Sequence, residues 1–381
     1  MTELTSLARA LESSVAGPVR TDWPLAKLTT YRIGGPAAVF VEPADASDLE
    51  TLARLVKETA PSDLPVLTIG RGSNLVVSDN GWPGVVIRLA PAKWSWIESL
   101  EDWPSLAPNA GRGLVAGAAT SLPLLANWAA RRSLTGLEFS IAIPGSVGGA
   151  VRMNAGAHGA EIADTLVSAR VFDASTLQTS TRTPSDLELA YRTSNLGDHE
   201  IVLYAAFGLE GADPAAIRDR MDAYRQHRSE TQPGAVQNAG SVFKNPPEDH
   251  AGRLVEAAGL KGLRVGGASV SSLHANFFVA DIGARAQDVF DLVCEVQTRV
   301  REELGVELTP EIRFAGSFAS SGSAKGGNRA TAWLRQERNW DSKSPRADSG
   351  FHPSDGGGTS QGSAKGGTGF PNSGALRGSG P

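Results

Sequence analysis

The chain has 381 residues, 41% of them hydrophobic, which is enough apolar material for two ordinary domains. Its 41 acidic and 36 basic residues leave a formal net charge of -5 and are spread along the whole chain, which argues against a nucleic-acid or membrane-surface binder and for small-molecule chemistry. The single cysteine, Cys294, has no partner for a disulfide or a thiolate metal site, and its neighbours Leu292, Val293 and Val296 place it in core packing in a reducing compartment.

The N-terminus lacks the basic start and unbroken apolar stretch of a secretory signal, and no segment reaches membrane-spanning length without charges, so a cytoplasmic protein with no membrane insertion is expected. A monomer is the expected state. Leu4, Leu7, Ala8 and Leu11 have helical spacing. A strand over Ala37–Glu42 precedes an amphipathic helix through Leu49, Leu52, Leu55 and Val56, and short apolar runs follow at Pro65–Ile69 and Val85–Leu89. Residues 94–110, with Trp94, Trp96, Trp103, Pro104 and Pro108, read as an inserted loop. A helix at Leu122–Arg132 and strands at Leu166–Asp173 and Ile201–Leu209 complete a first domain. Asp213-Pro214 opens the next helix, through Ile217, Met221 and Tyr224, because aspartate accepts from free amides and proline fits the first turn. The apolar face of Val289, Val293, Val296, Val300 and Leu304 predicts a long helix, and Glu311–Phe314 a last strand. The fold class is α+β, with domains at 1–212 and 213–316. Residues 317–381, rich in Gly and Ser, cannot bury enough surface to offset their ordering entropy and are expected to form a disordered tail, with Trp333, Leu334 and Trp340 as its isolated apolar residues.

Five stretches carry candidate chemistry. In Ile69–Ser78 a strand runs into Gly70, Arg71, Gly72, Ser73 and Asn74, whose freed amides suit a pyrophosphate. The run is not a Rossmann fingerprint, since no third glycine follows in place and the next segment reads as a strand, and a tight turn explains it about as well. The second stretch, Ile141–Ala157, has Pro144, Gly145, Gly148, Gly149 and Gly156 for close backbone approach, with Asn154 among them. There Ser146 is expected to begin a helix whose amides face an anion. In Asn238–Pro246, Ser241 lies near Lys244 and Asn245; a hydroxyl beside a positive charge can donate a proton, although a serine at a turn is more often a cap. Tyr191-Arg192 offers a planar fork for a carboxylate, and Glu311, between apolar neighbours, a carboxyl with a raised pKa. Surface salt bridging is the blander account of both. The six histidines show no metal-ligand spacing, so no metal site is predicted, and His227 with Glu230 reads as a solvated pair.

Taken in register from Thr29–Gly35 to Glu311–Phe314, these motifs resemble the UDP-N-acetylenolpyruvoylglucosamine reductase family, over nearly all the chain except the tail and the tryptophan-bearing segment. The resemblance implies a two-part FAD-binding domain of the vanillyl-alcohol-oxidase type over residues 29–212 and a smaller α+β domain for the sugar nucleotide. It implies reduction of UDP-N-acetylglucosamine enolpyruvate to UDP-N-acetylmuramate, with FAD and NADPH. By the same resemblance Gly70–Asn74 would hold the flavin pyrophosphate, and Pro144–Gly149 with Asn154 and Gly156 would line the flavin. Arg192, Ser241 and Glu311 would form the catalytic set, with Ser241 as proton donor. Tyr191, Lys244, Asn245, His274 and Asn276 are the substrate candidates. The short stretch between Arg192 and Ser241 points to the subtype that lacks a substrate-covering tyrosine loop, and His158 stands where an aromatic residue is usual. The competing readings are an oxidase of the same flavin fold and a non-enzymatic nucleotide-binding module.

Overall fold

A computed structural model describes residues 2–319 apart from 105, 107–110 and 235. Most of the tail expected over 317–381 therefore lies outside the described residues. Strands Val19–Pro24, Pro36–Val41, Trp82–Arg88 and Val66–Ile69 form a four-stranded sheet in that spatial order, the last two pairings parallel. Helices Thr2–Ser14 and Ala46–Thr59 cover it through Leu7, Leu11, Leu49, Leu52 and Val56. The buried Asp48 carboxylate fastens the surrounding turns by accepting the N–H groups of Ala16, Gly17 and Ala44 at 2.8 Å each.

Antiparallel pairing joins strands Gln178–Arg182, Leu166–Asp173, Glu200–Gly208, Gly113–Gly117 and Ile97–Ser99 into a second sheet. Its outer strand corrects the reading of residues 94–110 as a loop. Ile97–Ser99 is a regular edge strand, and Trp96 and Trp103 stack on each other at 5.7 Å and lean on Tyr204. Trp94 is buried and donates to the Pro43 carbonyl at 2.9 Å. A Cβ on Gly117 would stand 2.3 Å from the Trp94 carbonyl, so the strand can approach only where the side chain is missing.

Helix Pro214–Thr231 opens as read, with the Asp213 side chain accepting from the Ala216 N–H. Its buried face does not serve the C-terminal core. Ile217 and Met221 pack on Ala126, Ile141 and Ala142, and Tyr224 packs with them, so the helix lies on the first body although the sequence boundary falls before it. His227 is edge-on to His158, and Glu230 accepts from Gln226, which replaces the expected His227–Glu230 pair.

The C-terminal core is built from helices Ala251–Ala257 and Ala286–Leu304 and strands Ala268–Val270 and Phe278–Ala280, and it draws Tyr31, Ile33 and Val76 from early in the chain. Cys294 lies half-buried on the long helix, its thiol pushed up to about 11 by burial and then by Asp291. Two ties bind this core to the N-terminal body. The fully buried Tyr31 hydroxyl donates to the Phe278 carbonyl at 3.0 Å. The last strand, Arg313–Ala315, pairs in parallel with Leu75–Val77. Tyr31→Phe removes one tie and strands a buried carbonyl, which is expected to cost about 1–3 kcal/mol, measured by urea unfolding at pH 7.

Candidate active site

Between the two bodies lies a cleft of about 300 Å³. Its lining brings together Gly70–Asn74, Pro144, Gly145, Ser146, Gly149, Gly156, Arg192, Ser241 and Glu311. Glycine is required where the first loop turns. Gly72 has φ +60°, and a Cβ there would lie 2.1 Å from the Leu28 carbonyl oxygen. A Cβ on Gly70 would come within 2.6 Å of Ser146 Oγ, so the two glycine loops meet side by side. A cleft walled by glycine backbone and by Val66, Thr68 and Ile143 suits a long flat ligand with a pyrophosphate, and the residues present fit FAD.

The helix expected at Ser146 does form, over Val147–Met153, but its first amides do not face an anion. Val147 and Gly148 donate to the carbonyls of Thr120 and Ala118 at 2.9 Å each. Gly148 is a packing glycine outside the lining, since a Cβ there would stand 3.0 Å from that of Ala118. Asn154 also stands outside it. It is fully buried at φ +41°, with its amide donating to the Ala190 carbonyl at 3.1 Å and accepting from the Ala163 N–H at 2.9 Å.

That Asn154 bond anchors the tight turn, Ala190 to Thr193, which carries Arg192 at φ +55°, a left-handed conformation unfavourable for a residue with a Cβ. Arg192 Nε donates to Glu311 Oε1 at 3.0 Å and its Nη2 to the Gly156 carbonyl at 2.7 Å. Both side chains are 18% exposed. Burial pushes the Glu311 carboxyl above the ordinary carboxylate range, against the opposing pull of Arg192 and Lys244.

Ser241 is placed by two backbone segments. It bridges Phe277 in antiparallel fashion, Val242 N–H donates to the Asn276 carbonyl at 2.8 Å, and Glu311 N–H donates to the Val242 carbonyl at 2.7 Å. The Asn276 side chain closes on Phe243 from both sides, at 2.9 Å each, which leaves this buried amide as scaffold and removes it from the substrate candidates. His274 stands outside the lining, accepts from the Asn276 N–H at 3.2 Å and is held below the ordinary histidine range by burial. Asn245 caps the helix at Ala251, and Tyr191, 46% exposed, accepts from the Asn245 N–H at 3.4 Å. With Lys244, these two are also outside the lining.

The cleft adds residues that sequence reasoning missed, chiefly Arg228, Arg313 and Asp198. Arg228 follows Ile217, Met221 and Tyr224 on one helical face, which is the signal that was available. It is half-buried, forms no ion pair among the described residues, and is held below its ordinary range by burial. Arg313, two residues beyond Glu311 on the same strand side, lies 3.5 Å from Asp198. His158, at φ +56°, supplies a flat face to Tyr224 with ring centroids 4.1 Å apart, as an aromatic residue would. Asp173, His199 and Glu200 converge within 4.8 Å. Asp173 already accepts from Ser175 and Thr176, and Glu200 from Arg182 and Gly197.

The pKa shift of Glu311 fixes a sign for pH dependence. The folded protein holds a proton that the unfolded chain has released, so the stability from this group is complete below the ordinary carboxylate range and is lost as pH rises through its folded pKa. Glu311→Gln is expected to flatten that descending limb in thermal unfolding of the apoprotein between pH 4 and 8; an unchanged limb would assign it to another group.

The model of the UDP-N-acetylenolpyruvoylglucosamine reductase C-terminal domain matches residues 232–315, and that of an FAD binding domain matches residues 37–179. The chain is 42% identical over 315 residues to the UDP-N-acetylenolpyruvoylglucosamine reductase of Rhodopseudomonas palustris, covering 82% of this chain and 96% of that one. It is 44% identical over 298 residues to the same enzyme of Rubrobacter xylanophilus, covering 77% and 94%. The crystal structure of the Thermus caldophilus UDP-N-acetylenolpyruvylglucosamine reductase is similar with a TM-score of 0.63 and 37% identity, over 79% of this chain and 99% of that one.

Proposed function

The chain belongs to the UDP-N-acetylenolpyruvoylglucosamine reductases, FAD-dependent oxidoreductases of peptidoglycan precursor synthesis, and on that premise we propose that it reduces UDP-N-acetylglucosamine enolpyruvate to UDP-N-acetylmuramate with NADPH, with Ser241 as proton donor. The observation that carries this reading is the convergence of Arg192, Glu311 and Ser241 on the cleft walled by both glycine loops. Held along Gly70–Asn74 and Pro144–Ser146, FAD would supply two-electron hydride chemistry between NADPH and the methylene carbon of the enolpyruvyl group.

The protein's own residues do the rest. Arg192 presents its fork toward the substrate carboxylate and is oriented from behind by the Gly156 carbonyl. As hydride arrives, negative charge grows on the carboxylate side of the adjacent carbon, and a fixed guanidinium there lowers the barrier without reorganisation. Glu311, with its raised pKa, carries a proton more readily than an ordinary carboxyl and offers a hydrogen bond to the same developing charge. The Ser241 hydroxyl delivers the proton to that carbon, so hydride and proton together saturate the double bond. Arg228, half-buried in the lining, supplies charge for a pyrophosphate. Among the described residues, the segment from Arg192 to Ser241 is occupied by strand Glu200–Gly208 and helix Pro214–Thr231, which supports the subtype without a covering loop. No described helix is long and apolar enough to cross a membrane.

The direct test is anaerobic. NADPH is expected to bleach the purified yellow protein, and the enolpyruvyl sugar to restore its colour; a protein that purifies without flavin absorbance would sink the proposal. Ser241→Ala is expected to leave bleaching intact and slow recovery by roughly 10²–10⁴, followed by stopped-flow absorbance. Recovery at the unaltered rate would remove Ser241 from the chemistry.

A further inference from the structure

The first glycine loop ends on a side chain that does not turn to the ligand. Asn74 Nδ2 donates to the Glu311 main-chain carbonyl at 3.0 Å, and the Asn74 carbonyl accepts from the Arg313 N–H at 3.0 Å. Asn74 thus grips the backbone on either side of Ile312, adding one side-chain rung to the parallel pairing that starts at Leu75 and Arg313. Glu311 has one other main-chain anchor, its N–H to the Val242 carbonyl at 2.7 Å. With both bonds made, the direction of the Glu311 carboxyl is set jointly by the glycine loop and by the Ser241 segment. With the Asn74 side-chain bond lost, Glu311 keeps its own N–H bond to Val242 and the Arg192 ion pair, and its carbonyl loses its tie to the glycine loop while Ile312 and Arg313 stay held by the main chain.

We propose that Asn74 is a positioning residue for Glu311, and that through it the loop bordering the flavin cleft holds the catalytic carboxyl in register. The same device recurs at the other two members of the set. The Asn154 amide holds the turn of Arg192 through the Ala190 carbonyl, and the Asn276 amide holds the Ser241 segment through Phe243. Among these three asparagines, Asn74 alone lines the cleft and bonds to the catalytic residue itself. An amide is suited to the task because it binds a carbonyl without adding a charge beside a carboxyl whose protonation matters.

This inference rests on the proposed role of Glu311, so the test includes both positions, with rates referred to flavin-loaded protein. Asn74→Ala is expected to slow reoxidation by the enolpyruvyl sugar about 10- to 100-fold, the scale of a misplacement near 1 Å, and to shift the pH profile of that step. Because Asn74 also borders the cleft, bleaching by NADPH and flavin affinity of the apoprotein are measured on the same variant, and the expected result is a slowing of reoxidation larger than any change in bleaching. In a Glu311→Gln background, Asn74→Ala is expected to add less than about 3-fold, since two residues acting through one group are not additive. Asn74→Asp keeps the shape, removes the donor and is expected to slow the same step, which covers the case in which alanine unfolds the loop. Additive effects in the double variant, a wild-type rate for Asn74→Asp, or a change confined to flavin affinity each overturn the assignment. If Glu311→Gln alone leaves reoxidation unchanged, the role of Glu311 falls first and this inference falls with it.

Discussion

Glu311 is a carboxyl group mostly removed from water, and such a group must either find a cation or keep its proton. The protein holds it between the two outcomes. Arg192 sits 3.0 Å away, yet burial still prevails over the ion pair and keeps the carboxyl above its ordinary range. The rest of the site follows from maintaining that balance. Arg192 has to be presented on a left-handed turn, the turn has to be anchored by Asn154, and Glu311 has to be carried just ahead of the strand Arg313–Ala315 that reaches across to Leu75–Val77. The ion pair is also why the flavin half and the C-terminal core are joined by main-chain pairing: a loose contact would not fix a guanidinium and a carboxylate within hydrogen-bonding distance.

What could be read from the sequence divides along a physical line. Gly70, Gly72, Gly145, Gly149 and Gly156 were legible as a group, and they come together in the lining of one cleft, where the absence of a side chain lets two loops approach. The regular elements were legible too. The paired Asp213-Pro214 start and the apolar face of Ala286–Leu304 mark their helices without tertiary help. Asparagines were the weak point. An amide offers the same donor and acceptor to a ligand or to a distant carbonyl, and only the fold decides which lies opposite. Asn276 and Asn154 therefore moved from ligand candidates to scaffold when Phe243, Ala190 and Ala163 came beside them.

The other departures share a cause. Trp94, Trp96 and Trp103 resemble a loop in sequence because their spacing obeys neither helix nor strand: Trp94 joins the main core, whereas Trp96 and Trp103 pack on each other and on Tyr204 outside it. Helix Pro214–Thr231 has only Ile217 and Met221 fully buried. So thin an apolar face says that the helix is peripheral without saying which body it lies on.

The parallel pairing of Arg313–Ala315 with Leu75–Val77 also sets an order of assembly during synthesis. A ribosome releases both glycine loops, Arg192 and Ser241 well before Glu311, and N-terminal parts fold as they emerge. A nascent chain can therefore shape most of the cleft while Arg192 still lacks its carboxylate. The last strand completes the ion pair and the backbone suspension of Glu311 in one docking event, so translation has to run almost to the end of the described fold before Arg192 meets its carboxylate.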